Sequence, residues 1–243
     1  MRNLRKKLVA STSFAVIAAM AMTSASVFGG IIEIPGTSNP YLALALPGTP
    51  ASNGDFAPKQ SPVLVPADFW DKRDFITFDA WGAVNHGSGP LWGPDGSSLL
   101  FGRNAERGIS GYGGSLNDLV GLFVNRDILG LLPPPPPLDF SKLGSKEFDD
   151  LFPKVHQLFF IGDGLNVQKI RQRFFVPAGS THLFLGTADG YGWYNNNGSF
   201  YVNFEGTPEP GTMVIVAGTM GLAAIQAMMR KRRKSSASNE QVD

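Results

Sequence analysis

The chain has 243 residues, 43% of them hydrophobic and only 17% charged, with 29 glycines and 18 prolines, a composition that favours turns and short strands over long helices. It contains no cysteine, which excludes a disulfide framework, a thiolate metal site and a cysteine nucleophile. The basic residues cluster at the two ends and leave 12 basic against 17 acidic residues in 31–206, so the body lacks the basic face that nucleic acid requires, yet suits a cation.

At the N-terminus Arg2, Arg5, Lys6 and Lys7 precede an apolar run from Leu8 to Met22, and the small residues Thr23-Ser24-Ala25-Ser26 follow. Basic, apolar and small-residue regions in that order predict a secretory signal peptide over 1–25, cleaved after Ala25. Residues 26–65 are rich in Pro, Gly, Ser and Asn and read as a linker or a loose first strand at Ile31-Ile32. The body, 66–206, changes to short apolar runs separated by turn residues. Phe75 to Ala80, Leu119 to Val124, Gln157 to Ile161, Arg173 to Val176, His182 to Leu185 and Phe200 to Phe204 each predict a strand. Such a series, without a long 3.6-residue period, predicts an all-β antiparallel β-sandwich. A helix is expected only within Ser141 to Leu151, where Ser145 is a candidate cap. Pro133 to Pro137 cannot donate to a sheet ladder and is expected as an exposed loop.

Motifs for catalysis are sparse. His86, His156 and His182 have no metal-ligand spacing, and neither a Gly-x-Ser-x-Gly elbow nor a P-loop occurs. Glu147, Asp149 and Asp150 read as a solvated acidic face, and the chain is expected not to be an enzyme. The densest pattern is the loop after the strand at Leu183: Asp189, then Gly190-Tyr191-Gly192-Trp193-Tyr194, then Asn195-Asn196-Asn197-Gly198-Ser199-Phe200. Calcium takes six to eight oxygen ligands from carboxylates, amides and main-chain carbonyls, and Asp189, Asn195 and Asn196 offer three side-chain oxygens. A long polar hairpin, with Asn chosen for its tolerance of left-handed turns, accounts for the same residues.

That loop resembles the calcium site of the calcium-dependent galactose-binding bacterial lectins of the pseudomonad type, which follow a strand-ending Asp with a Tyr/Gly loop and Asn-Asn-x-Gly-Ser-Phe-x-Val-Asn. Ile76-Thr77, Gly82 and Trp92-Gly93-Pro94-Asp95-Gly96 agree in spacing as well, while much of 129–155 resembles an insertion. The resemblance implies a galactose-binding-like jelly roll with Asp189, Asn195 and Asn196 as side-chain calcium ligands. It places His86 and Gly192 where the lectins supply main-chain carbonyls, although counting from Asp189 gives Trp193 instead of Gly192. It further implies that the calcium itself meets sugar hydroxyls. Tyr191, Trp193 and Tyr194 are candidates for a ring platform, with at least one of the three expected in the core. Leu100 falls where the lectins have a sugar-contacting histidine, so galactose specificity does not carry over.

At the C-terminal end Thr207-Pro208-Glu209-Pro210 precedes an apolar run from Thr212 to Met229 and the basic Arg230-Lys231-Arg232-Arg233-Lys234. This tail, 207–234 with a polar extension at 235–243, is similar to a PEP-CTERM sorting signal. The similarity implies one transmembrane helix with its basic end in the cytoplasm, processing near Pro208, Glu209 and Pro210 by an exosortase-type enzyme, and transient anchoring in the inner membrane. The expected function is that of an exported, surface- or matrix-sorted, calcium-dependent carbohydrate-binding protein. The alternatives are a structural biofilm matrix protein without specific sugar binding and a carbohydrate-active enzyme.

Overall fold

A computed structural model of the chain describes residues 30–51 and 54–208. The signal segment with Ala25, the apolar tail, and Glu209 and Pro210 lie outside the described residues. The described residues form twelve strands: β1 Ile31–Pro35, β2 Val63–Val65, β3 Arg73–Asn85, β4 Leu100–Arg103, β5 Tyr112–Ser115, β6 Leu119–Val124, β7 Leu138–Asp139, β8 Asp150–Leu151, β9 Leu158–Phe160, β10 Arg173–Phe175, β11 His182–Thr187 and β12 Asn197–Pro208. They make a five-stranded sheet of order β1-β12-β3-β10-β8, a four-stranded sheet of order β2-β11-β6-β9 and a small sheet of order β4-β5-β7. Every pairing is antiparallel except β8 with β10 and β7 with β5. The expected all-β architecture is found.

The five-stranded sheet obeys the period-2 rule. On β3, Ile76, Phe78 and Ala80 point inward, while Phe75, Thr77, Asp79 and Trp81 face outward between them. β12 matches it with Phe200, Val202 and Phe204 inward, in a register that sets Phe204 opposite Phe78 and Val202 opposite Ala80. Gly82 stands opposite Phe200 at φ +95°, and a Cβ there would come within 2.4 Å of the Ser199 carbonyl. Only glycine lets these two strands approach so closely at that point.

The core lies between this sheet and the four-stranded one. Ile34, Ile76, Phe78, Phe174, Phe200 and Phe204 pack against Val65, Leu119, Phe123, Phe159, Leu183 and Leu185. The other face of the four-stranded sheet is also covered. Val120, Leu122, Val124, Leu158 and Phe184 meet Tyr41, Ile109, Tyr112, Phe140 and Trp193. Hence β6 is buried at all six positions, and its sequence Leu-Val-Gly-Leu-Phe-Val runs apolar without alternating.

Two expectations are corrected. Residues 31–65 do not act as a linker, although the first strand expected at Ile31-Ile32 is found, as β1. β1 pairs with β12 over five residues, Ile34 is fully buried, β2 extends the four-stranded sheet, and Leu42, Ala51 and Ala57 form a small cluster of their own. Composition misled here because a segment that covers a sheet with turns needs few large side chains. No helix forms in Ser141–Leu151: Lys142–Lys146 is a run of turns, Ser145 Oγ bonds the Lys142 carbonyl, and β8 ends the stretch. Tertiary contacts of Phe140, Lys146 and Phe148 decide this segment against its local propensity. The proline run joins β6 to β7 and carries no ladder bond; its Pro136 carbonyl accepts from Gln157 Nε2 at 2.8 Å.

Candidate functional site

β11 ends at Thr187 and β12 begins at Asn197, so the Asp189 loop closes the gap between the two main sheets. Four side chains fasten it. The Thr187 hydroxyl and Asn196 Nδ2 both donate to the Gly36 carbonyl, at 2.8 and 3.0 Å, which ties the two ends of the loop to the residue after β1. Trp193 Nε1 donates to the Thr187 carbonyl at 2.7 Å. The Arg103 guanidinium lies 4.7 Å from the Tyr41 ring centre and 4.8 Å from that of Trp193, and donates to the Tyr191 carbonyl at 3.3 Å.

Asp189 is buried, and its Oδ1 accepts the Tyr191 amide at 2.8 Å. Asn196 is also buried; its Oδ1 is shut away from solvent and has no hydrogen-bond partner. Burying an amide oxygen unpaired costs about 1–3 kcal/mol, so this atom is one that a cation would satisfy. Asn195 ends a short 3-10 turn, Trp193–Asn195, and is exposed. Its side chain lies against Gly87, where an added Cβ would sit 2.9 Å from Asn195 Nδ2. His86, next to that glycine, places Nδ1 2.9 Å from Asn117 Oδ1, and Asn117 also donates to the Val84 carbonyl. Gly192 is buried and extended at φ −143° and ψ 131°, leading into the turn.

The three aromatics separate. Trp193 is 1% exposed and belongs to the second core cluster, so its ring is not available as a platform. Tyr191 and Tyr194 are 66% and 52% exposed and remain at the surface of the loop. Leu100 lies on β4, exposed.

Sequence reading missed Asp55. It is fully buried, and both of its oxygens are occupied: Oδ2 accepts from Trp193 N at 3.1 Å and Asn39 Nδ2 at 2.9 Å, Oδ1 from Tyr194 N at 2.9 Å. Burial pushes its pKa up, opposed by the two loop amides and Asn39, and nearby Asp189 adds to the rise. Neither Asp55 nor Asp189 forms an ion pair with a basic side chain among the described residues. Nothing in the polar Asn53-Gly54-Asp55 stretch distinguishes it from an ordinary turn, and it contacts the loop across 138 positions of sequence. Among the described residues no three His, Asp or Glu side chains converge. A cation held here would therefore draw on amide and main-chain oxygens beside carboxylate, the mixed donor set that calcium accepts.

The remaining acidic and histidine candidates have structural partners. Asp150 takes both Arg173 Nε and Nη2, Asp149 accepts from Asn166 Nδ2 at 2.8 Å, and Glu147 accepts the Val167 amide. Glu147 and Asp149 are exposed and Asp150 is half-buried, so the cluster lies at the surface, and its bonds tie 147–150 to Arg173 of β10 and to the segment before it. His156 is buried at φ 64° and receives the Asn125 amide at 3.1 Å. No protein-family model and no curated protein matches this chain.

Proposed function

We propose that this chain is an exported, surface- or matrix-sorted protein that binds carbohydrate through calcium without catalysis, its body a galactose-binding-like β-sandwich. One observation carries the reading: the unpartnered, buried Asn196 Oδ1 beside a loop that also buries the carboxylate of Asp189. An anionic loop with an unsatisfied amide oxygen gains stability where something positive completes it. Asp189, Asn195 and Asn196 would supply side-chain oxygens, and His86 and Gly192 main-chain oxygens. Tyr191 and Tyr194, exposed on the same loop, would contact the sugar ring. A bound calcium presents a hard Lewis-acid centre to adjacent sugar hydroxyls. Export rests on the N-terminal signal, and sorting rests on the Pro208-Glu209-Pro210 tail, its apolar run and an exosortase-type enzyme.

The test is thermal unfolding and glycan-array binding, each with calcium and with chelator. Calcium at a hundredfold over its Kd should stabilise the domain by about 2.7 kcal/mol, a rise in Tm of roughly 5–10 °C for a domain of this size. Asp189→Asn should abolish both that rise and the calcium-dependent glycan binding. Stabilisation without any glycan binding would favour the structural matrix protein. Glycan binding that survives both chelator and Asp189→Asn would remove the metal from the site.

A further inference from the structure

A cavity of about 650 Å³ opens where the segment after β4 meets the segment after β6, away from the Asp189 loop. Two glycines make its floor. Gly108 at φ +80° abuts Gly130 at φ +77°, and a Cβ on Gly108 would stand 2.6 Å from Gly130 N. The two segments are thereby held in contact, and each contributes an arginine to the lining, Arg107 and Arg126, together with Leu44, Leu46 and Leu129. Leu46 is 76% exposed, which marks an apolar surface left open to solvent.

Neither arginine pairs with a carboxylate among the described residues, unlike Arg103, Lys142, Lys146, Lys169, Arg171 and Arg173. Arg126 is nonetheless held. Its Nη2 lies 3.1 Å from His182 Nε2. The Thr181 hydroxyl donates to the Val124 carbonyl at 3.1 Å and accepts the Arg126 amide at 2.9 Å. Its single proton is thus spent, so its 2.8 Å contact with His182 Nδ1 requires the proton on Nδ1. Nε2 is then the acceptor that Arg126 needs. Burial, and after it the Arg126 charge, hold the His182 pKa below its ordinary value, which keeps the ring neutral. A neutral imidazole fixes the guanidinium without cancelling its charge.

We infer that this cavity binds an organic carboxylate of sugar-acid size, with Arg107 and Arg126 on the carboxylate and the leucines on the apolar face of the ligand. Guanidinium suits a carboxylate by its planar paired donors. The volume falls within the range of small-molecule sites and far exceeds a bare inorganic anion. In a body with 12 basic and 17 acidic residues, two arginines without a carboxylate partner among the described residues, both lining one cavity, oppose the general charge.

The site stands apart from the calcium reading, so its test is run in chelator. The full chain in detergent micelles is titrated with galacturonate trimer, neutral galactose trimer and sulfate, by calorimetry. The uronate should bind saturably, and its affinity should fall at least tenfold in Arg107→Gln and in Arg126→Gln, and on raising salt. His182→Phe, which removes the acceptor, should also weaken binding while leaving the melting temperature within a few degrees. The inference is overturned if the double arginine variant binds the uronate as well as the natural chain does. It is equally overturned if the neutral trimer or sulfate binds as tightly as the uronate.

Discussion

Two buried carboxylate centres lie one hydrogen bond apart, joined by Ala188 N donating to the Asp118 carbonyl at 2.8 Å, and they are completed in opposite ways. Asp118 is fully buried and has its own cation. Lys146 Nζ donates to its Oδ1 at 2.7 Å, and Tyr112 Oη and Ser115 N donate to Oδ2 at 2.8 and 2.9 Å. The ammonium is itself satisfied by the Asp95 carbonyl and Ser115 Oγ, and it lies 4.5 Å from the Phe160 ring centre. Across Ala188, Asp189 and Asp55 are buried with amide donors alone. A lysine pairs with the carboxylate that serves the fold, whereas Arg103, which reaches the loop, pairs with Glu106 and donates to the Tyr191 carbonyl, and neither Asp55 nor Asp189 has an ion pair among the described residues. A buried charge without a protein counter-charge points to a ligand that brings one.

The completed centre gives the largest effect. Lys146→Met leaves Asp118 buried and unpaired, which should cost about 3–5 kcal/mol at pH 7 by denaturant unfolding. The cost should shrink at pH 5, where Asp118 takes up a proton instead. An equal cost at both pH values would show that lost packing, not the lost ion pair, is responsible. In the natural chain burial raises the Asp118 pKa from 3.8 to about 6, against the lowering effects of Lys146, Tyr112 and Ser115. Between those values the folded chain binds more protons than the unfolded one. Its contribution is therefore fully present below about pH 4 and is lost as pH rises through 6, an amount on the order of 3 kcal/mol. Asp118→Asn should flatten the stability profile over that window.

The contrast also explains what the sequence made legible. β3, β6 and β12 were readable because alternation on an exposed sheet, or an unbroken apolar run on a sheet covered on both faces, writes burial into residue order. The Asp189 loop was readable as a local pattern, since its side-chain candidate ligands, Asp189 to Asn196, lie within one stretch of eight residues. The fastening of that loop was not. Asp55, Gly36 and Arg103 reach it from segments far away in the chain, and each carries an ordinary turn or strand sequence. That one loop aromatic belongs to the core was legible, but not that it is Trp193: its cover, Tyr41, comes from the segment whose composition resembled a linker.

Asp55 sharpens the comparison at the uncompleted centre. Asp55→Asn keeps one accepting oxygen but turns an NH₂ group toward a loop amide, a donor facing a donor, which costs about 1–3 kcal/mol. The same change removes a buried charge that has no cation, which offsets much of that cost. In chelator the unfolding free energy should therefore shift by less than about 1 kcal/mol. In calcium the looser, less anionic loop should bind the ion about tenfold more weakly, a loss of about 1.4 kcal/mol. Unfolding followed with and without calcium separates the two quantities. A large loss in chelator with calcium affinity unchanged would make Asp55 a purely structural tether.

Asn195 carries the smallest effect and the finest distinction. Unlike Asn196, whose Nδ2 is anchored on the Gly36 carbonyl, Asn195 is exposed, and its side chain makes no hydrogen bond among the described residues. Its main-chain carbonyl accepts from Asn197 Nδ2 at 3.2 Å, a bond that substitution of the side chain leaves in place. Asn195→Ala should then be silent in chelator, within about 0.5 kcal/mol of the natural chain. With calcium present it removes one neutral oxygen from the set, and the rise in melting temperature should shrink without vanishing. The comparison to make is with Asp189→Asn, which removes the loop's full negative charge and should erase the rise. Equal effects of the two variants would mean that charge does not govern the site. No effect of Asn195→Ala in calcium would exclude its side chain from the ligand set and leave Asp189 and Asn196 to hold the ion with main-chain carbonyls.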